Sequence, residues 1–266
     1  MKIAATTVTL DRYCDVRSTT PNYGLIDAVN SDRLTIYEQA LAKSASAEVD
    51  LLCLPGGYLF YAPQTPVVSP LTSGDHKLAQ LIAQIIRLAR EYRVAVAIGL
   101  DLTGKDQTAD NSVDVRSGKL PWYAICWSPS ENQVLCWNQR SVTSIDQRYC
   151  PHALCETART IRIGSHAVEV LLCGEVFNSR IRDAITRRKE RPMALVDLAH
   201  TLAGFRVTAP LKELAERGIH TMCSSHADKR GAMKYYYAPT NGRRSSRRVD
   251  FSCGGRPRLE AKVWSI

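Results

Sequence analysis

The sequence predicts an α/β protein in which short buried strands alternate with amphipathic helices. Apolar runs of strand length, such as Val94–Leu100, are bounded by turn residues or polar residues. Helical apolar stripes stand between these runs, and the clearest one lies at Leu78–Tyr92. Strands and helices alternate along the chain, which favours one α/β domain. With no credible interdomain linker, we predict a single domain over residues 1–266.

The first half of the chain is predicted to hold strands, two helices and a hairpin. In order these are a strand at Lys2–Thr9, a helix at Ser31–Ser46, a strand at Val49–Leu54, a helix at Leu78–Tyr92, a strand at Val94–Leu100 and a hairpin of Pro121–Trp127 with Gln133–Trp137. Ser31 is the expected N-cap of the first helix. Asp75 lies near the start of the second helix, where negative charge is favoured.

The second half of the chain continues the alternation. The predicted elements are a strand pair at Thr160–Ile163 and Val168–Cys173, a helix at Ser179–Lys189, a strand at Met193–Leu198, a helix at Pro210–Arg217, a strand at Ile219–Ser224 and an extended segment at Arg258–Ile266. Residues from about 227 to 257 are rich in Gly, Arg and Ser. We predict a basic surface loop there.

Cysteine usage and hydropathy indicate the compartment. The nine cysteines follow no disulfide pattern, and several lie in apolar runs, where a free thiol behaves as a small hydrophobic group. This favours a reducing environment. The first residues lack the features of a secretory signal, and no apolar run reaches the length of a membrane span. We therefore expect a cytoplasmic protein that does not enter a membrane.

The net charge of +9 leaves two interpretations open. Much of the excess lies in two clusters, one at residues 187–191 and the other formed by Arg243, Arg244, Arg247 and Arg248. These clusters fit a solvated helix end and a charged loop. They also fit an anion or nucleic-acid patch, although neither has the interleaved aromatic residues of a single-strand binder.

Cys173 is the first candidate for chemistry. It ends an apolar strand, Gly174 permits a sharp turn, and a helix follows. In α/β sheets, sites collect beyond the carboxyl ends of strands. A thiol at such an elbow also faces helix N-terminal amides, which favour the thiolate. A lone cysteine at this position would usually be a core residue. The order of the surrounding segments is therefore needed to choose between a core residue and a nucleophile.

That order resembles the nitrilase (carbon–nitrogen hydrolase) superfamily. Asp50–Pro55 is similar to the segment that precedes the family's catalytic glutamate, but Gly56 stands in the glutamate's place. The family's lysine position falls on Arg140, or on Gln139 if the register slips by one. Cys173-Gly174-Glu175 is similar to the segment that carries the family's nucleophile.

The resemblance implies a fold, an assembly and a mechanism. The implied fold is a four-layer α-β-β-α sandwich that forms homodimers. In the family, the glutamate takes the thiol proton, the cysteine attacks a nitrile or amide carbon, and the lysine stabilises the tetrahedral intermediate. A thiol needs a base or a positive field to act at neutral pH. The oxyanion needs fixed donors.

The departures at positions 56 and 140 lead to three hypotheses. Gly56 cannot take a proton, and Arg140 stays charged with a different geometry from an ammonium group. The leading hypothesis is a divergent homologue impaired or inactive in hydrolysis, a pseudoenzyme that retains a small amide or nitrile ligand. An alternative is an active thiol hydrolase of non-peptide C–N bonds that uses Cys173 with Glu175 and Arg140. A third is a non-enzymatic binding protein that uses the basic loops.

No cofactor or metal is predicted. Cys150, His152 and Cys155 lie close together in sequence, and His220, Cys223 and His226 share a spacing of three. Neither group has the paired spacing typical of zinc sites. The glycine pairs lack the rest of a nucleotide-binding motif.

Overall fold

The structure is a computed structural model that describes residues 1–9, 26–61, 63, 67, 69–102, 120–141, 150–200, 207–227, 236–239, 246–254 and 258–266. Its elements are β1 (Lys2–Thr9), α1 (Ile26–Ser46), β2 (Leu51–Cys53), β3 (Leu59–Tyr61), α2 (His76–Tyr92), β4 (Ala95–Leu102), β5 (Trp122–Trp127), β6 (Val134–Asn138), α3 (His152–Glu156), β7 (Thr160–Ile163), β8 (His166–Leu172), α4 (Ser179–Arg187), β9 (Ala194–Leu198), α5 (Thr208–Glu216), β10 (His220–Ala227), β11 (Tyr236–Tyr237), β12 (Ser246–Cys253) and β13 (Arg258–Ser265). A 3₁₀ helix, Cys173–Phe177, directly follows β8.

The thirteen described strands form one continuous sheet, with the main order β6-β5-β4-β2-β1-β10-β9-β8-β7. β1 joins the two halves of this sheet because it pairs in parallel with β2 at residues 3–5 and with β10 at residues 7–9. β13 runs antiparallel along the whole of β1. Strands β2, β4, β8, β9 and β10 belong to parallel pairs, so their carboxyl ends meet at one edge of the core.

The sheet curls so that its two halves pack face to face. One apolar cluster combines inner-face residues of both halves, such as Ala97 of β4 and Val196 of β9. A second cluster packs α1 and α2 on one outer face, and a third packs α4 and α5 on the other. The predicted four-layer sandwich is confirmed, with the added feature that β1 makes the two sheets continuous.

A side-chain cap marks the start of α2, whereas the predicted cap of α1 is not at its start. The Asp75 side chain accepts hydrogen bonds from the backbone N–H groups of Lys77 and Leu78, so α2 begins with a side-chain cap. The predicted start of α1 is wrong, because the helix begins at Ile26 and Ser31 lies inside it. Serine is only mildly unfavourable within a helix, so its presence does not fix a helix start.

The predicted surface loop at 227–257 is wrong in part. β11 pairs with β10, and β12 pairs with β13 through a register shift between Arg247 and Asp250. The arginines of this segment hide the strand pattern, because few apolar residues alternate with them. The remaining residues of this stretch lie largely outside the described part of the chain.

No described helix is both long and apolar enough to cross a membrane.

Candidate functional site

Cys173 is the first residue after β8 and is partly exposed. Its φ angle is 40°, in the left-handed region that residues with a side chain rarely adopt. This sharp turn at the first residue of the 3₁₀ helix holds the thiol at the carboxyl edge of the sheet. The strand therefore ends one residue earlier than predicted, and the predicted elbow is present.

A histidine and an aspartate complete a chain of contacts from this thiol. His200 lies two residues beyond β9, close enough to Cys173 for its charge and its polar N–H groups to lower the pKa of the thiol. The His200 Nε2 atom lies 2.8 Å from Oδ1 of Asp101, a buried residue of β4. Because Asp101 holds Nε2, Nδ1 is the ring nitrogen left for the thiol. The order thiol, imidazole and carboxylate is one in which a nucleophile, a base and an orienting carboxylate can act together.

The electrostatics favour an ion pair between the thiol and the imidazole. Burial raises the pKa of the Cys173 thiol, but the polar groups and the charge of His200 outweigh burial, so the pKa falls below its ordinary value. Burial lowers the pKa of His200, but the charge and hydrogen bond of Asp101 and the contact with Cys173 raise it well above its ordinary value. Both shifts favour a thiolate that faces an imidazolium.

Gly56 leaves the space in which the His200 ring stands. A Cβ atom on residue 56 would lie 2.8 Å from His200 Nδ1 and 2.7 Å from the Leu198 carbonyl oxygen. The next residue, Gly57, has a φ of 61°, and a Cβ there would lie 2.7 Å from Oδ2 of Asp101. The two glycines therefore admit both the imidazole and its carboxylate partner.

Glu175 is fully buried, and both of its carboxylate oxygens already accept hydrogen bonds. Its Oε1 atom accepts hydrogen bonds from the Arg140 backbone N–H at 2.6 Å, Arg140 Nε at 3.2 Å and Arg159 Nη1 at 2.9 Å. Its Oε2 atom accepts from Arg140 Nη2 and from the backbone N–H of Leu172. Burial raises the pKa of Glu175, but the two arginines outweigh it and lower the pKa. Such a carboxylate is a weak proton acceptor.

Arg140 is also fully buried, and its guanidinium is bound on several sides. Besides Glu175, its Nη1 atom donates to the carbonyl oxygens of Leu154 and Thr157, at 3.0 Å each. Gln139, the alternative residue for the lysine position, is buried beside it. The structure thus places Arg140 in an ion pair with Glu175, and it places Gly56 against the ring of His200. The catalytic use of Glu175 and Arg140 stays a prediction, and their contacts favour a structural task.

His200 and Asp101 are the residues that the sequence analysis did not find. Each lies at or just beyond the end of a buried strand, as Cys173 does, and this shared placement was the available signal. They are 99 residues apart in the chain, so no local motif links them.

The remaining candidates are arranged differently. The His152 side chain is 80% exposed, away from the buried Cys150 and Cys155. His220 contacts Tyr236. Within the described ranges, no group of three or more His, Cys, Asp or Glu side chains could hold a metal ion.

The first basic cluster is partly paired, since Arg187 contacts Glu156 and Arg188 contacts Glu169. Arg243 and Arg244 lie outside the described residues. Arg247 and Arg248 lie in β12, but the structure does not describe their side chains.

Comparison with solved structures supports the fold. No protein-family model and no curated protein matches the chain. Among solved structures, the NitN amidase from Nesterenkonia sp. AN1 is 18% identical, with a TM-score of 0.59 over 100% of this chain and 92% of that chain. A glutamate-to-glutamine mutant of the amidase, with acrylamide added to its active-site cysteine, is 17% identical, with a TM-score of 0.58 over 100% and 93%.

A cysteine-to-alanine mutant of the Nesterenkonia amidase from the nitrilase superfamily is 15% identical, with a TM-score of 0.56 over 99% of this chain and 90% of that chain. At these identities the likeness establishes the fold. The resemblance to the nitrilase superfamily is therefore confirmed at the level of the fold.

Proposed function

We propose that this protein is a cysteine-dependent hydrolase of small non-peptide amides, in which His200 is the proton acceptor and Asp101 orients it. The observation that carries the proposal is the position of the His200 ring, which stands against Gly56, is held by Asp101 and lowers the pKa of the Cys173 thiol. The resemblance implies a basic glutamate at position 56. An imidazole that fills the same space can take over its task.

The chemistry follows from the thiolate–imidazolium pair. The Cys173 thiolate attacks the amide carbon, and the C–N bond breaks as the His200 imidazolium gives its proton to the leaving amine. A thioester with Cys173 remains. His200, now neutral, takes a proton from water as that water attacks the thioester. The C–S bond then breaks and the acid leaves, so that the Cys173 thiolate again faces the His200 imidazolium, which keeps the proton taken from water.

Arg140 and Glu175 support the backbone next to Cys173. Glu175 holds the backbone N–H of Leu172, which precedes the nucleophile, and two arginines neutralise its charge. We propose that this cluster fixes the Cys173 turn and takes no proton. A reducing intracellular setting, which the free described cysteines favour, would keep the thiol available.

The test begins with alkylation of the thiol. At pH 7, iodoacetamide should label Cys173 much faster than free cysteine, and acrylamide, which adds to the cysteine of the similar amidase, is a second probe. Cys136 is the internal control, because burial raises its pKa to about 12. The variant His200→Ala should slow labelling at Cys173 and leave Cys136 unchanged.

Turnover is tested separately by ammonia release from a panel of small amides and nitriles, with Cys173→Ala as the blank. Labelling of Cys173 as slow as that of Cys136, together with no ammonia release, would overturn the proposal and favour the impaired homologue. Nitriles belong in the panel because the resemblance implies either substrate class.

Two further parts of the proposal concern partners. We propose a homodimer, as the resemblance implies, and light scattering of the purified protein measures its mass. The alternative of a nucleic-acid partner for the second basic cluster predicts binding that weakens steeply with salt. Absence of binding to DNA or RNA at low salt removes that alternative.

A further inference from the structure

A second histidine holds the main chain of His200. His226 lies near the end of β10, and its Nδ1 atom is 2.9 Å from the carbonyl oxygen of His200. The His226 residue is only 4% exposed. Because a carbonyl oxygen can only accept a hydrogen bond, Nδ1 of His226 carries the hydrogen and donates it.

The surroundings of His226 keep its ring neutral. Burial lowers the pKa of His226 to about 3, and the positive charges of Arg33 and His200 act in the same direction, although the hydrogen bond to His200 opposes them. A neutral ring carries one hydrogen, and here it sits on Nδ1. Consistently, His226 Nε2 is buried and has no hydrogen-bond partner among the described residues.

This bond lies at the point where the chain leaves the sheet. The pairing of β9 with β10 ends at Leu198, and one more backbone bond joins the Ala199 N–H to the Ser224 oxygen at 2.8 Å. His200 comes next, beyond the strand. Its backbone is then held by the His226 side chain, and its ring by Asp101.

We infer that His226 is a positioning residue, whose donated hydrogen bond fixes the His200 backbone so that the imidazole stays between Cys173 and Asp101. The inference rests on the proposed function of His200 as the base. A base must be held within about 0.5 Å of its productive position, and a misplacement of about 1 Å can cost a factor of about 10² in rate.

The experiment compares His226→Asn with His226→Leu in the full-length protein. The asparagine Nδ2 can stand where the histidine Nδ1 stood and donate the same bond, whereas leucine keeps much of the volume but donates nothing. We expect His226→Leu to reduce kcat and the iodoacetamide rate at Cys173 by about 10- to 100-fold, with KM nearly unchanged. His226→Asn should remain close to wild type. Wild-type rates in the leucine variant, or equal losses in both variants, would overturn the donor role.

The readouts separate this inference from the proposed function. If the wild-type thiol itself is unreactive and His200→Ala changes nothing, the proposed function fails by itself. Nitrogen NMR of the histidine rings then still tests His226. The inference requires hydrogen on Nδ1 of His226, and His200 ring signals that move in His226→Leu but not in His226→Asn. A His226 ring with hydrogen on Nε2 alone, or unmoved His200 signals, would refute it.

Discussion

The Nδ1 atom of His200 lies 2.8 Å from the position that a Cβ atom on Gly56 would take. Real Cβ atoms do not come this close to a ring atom, so the imidazole and a side chain at position 56 exclude each other. The absence of a carboxylate at position 56 is therefore linked to the presence of an imidazole at position 200. In this structure the missing Cβ at position 56 leaves room for the ring.

Introducing a glutamate at position 56 should lower activity. The variant Gly56→Glu forces the His200 ring away from Cys173, and Gly56→Ala should do so more mildly, since overpacking costs about 1–3 kcal/mol. Both are checked by the alkylation rate at Cys173 and by urea unfolding. Gly164→Ala is the control, because a Cβ there meets no atom within 4 Å and only its positive φ is strained. Faster alkylation in Gly56→Glu than in wild type would contradict this prediction.

Asp101→Asn should reduce turnover by a factor of about 10² to 10⁴, because the ring of His200 loses its orienting carboxylate. The charge and hydrogen bond of Asp101 raise the pKa of His200 against the opposing effect of burial. Without that charge the pKa of His200 falls, so the imidazolium is lost at a lower pH. The alkaline limb of the pH–rate profile should therefore move to lower pH. Asp183→Asn, which changes a half-exposed ion pair, is the control. An unmoved alkaline limb would argue against the role of Asp101.

Glu175→Gln should destabilise the fold. The change leaves Arg140 and Arg159 buried with less compensating charge, and breaking a buried pair costs about 3–5 kcal/mol. The free energy of unfolding in urea measures this. Glu91→Gln removes an exposed i,i+4 pair with Arg87 and should cost about 0.5 kcal/mol or less. Equal costs for the two variants would show that the buried cluster is not needed.

Asp197→Asn should gain stability relative to wild type as the pH rises. Burial raises the pKa of Asp197 well above its ordinary value, and the charges of Cys173 and Glu175 add to this effect. Above about pH 4 the folded protein therefore holds a proton that the unfolded chain has released, so stability falls by up to about 1.4 kcal/mol per pH unit until the folded pKa is reached. The asparagine has no such dependence. Urea unfolding of both proteins at pH 5 and pH 8 should give a stability difference that favours the variant more at pH 8. An unchanged difference would contradict the raised pKa.

The sequence was sufficient for the alternation of strands and helices and for the turn at Cys173, because both leave local signals. The stripe of α2 and the buried run of β4 have the periods of their elements, and Cys173 lies at a strand-to-helix elbow. The base could not be predicted in the same way. Asp101 and His200 belong to different halves of the sheet, and only the order of the strands brings them together. β12 was missed because arginines mask its alternation.

The left-handed backbone conformation of Cys173 lowers the stability of the fold while it positions the thiol. A side chain at this φ costs on the order of 1–3 kcal/mol, a cost that glycine would not carry. Selection for heat tolerance alone would therefore favour replacement of Cys173 by glycine, which gives a more stable protein without the thiol. Improved versions of this protein need selection for sulfur reactivity and thermal endurance together.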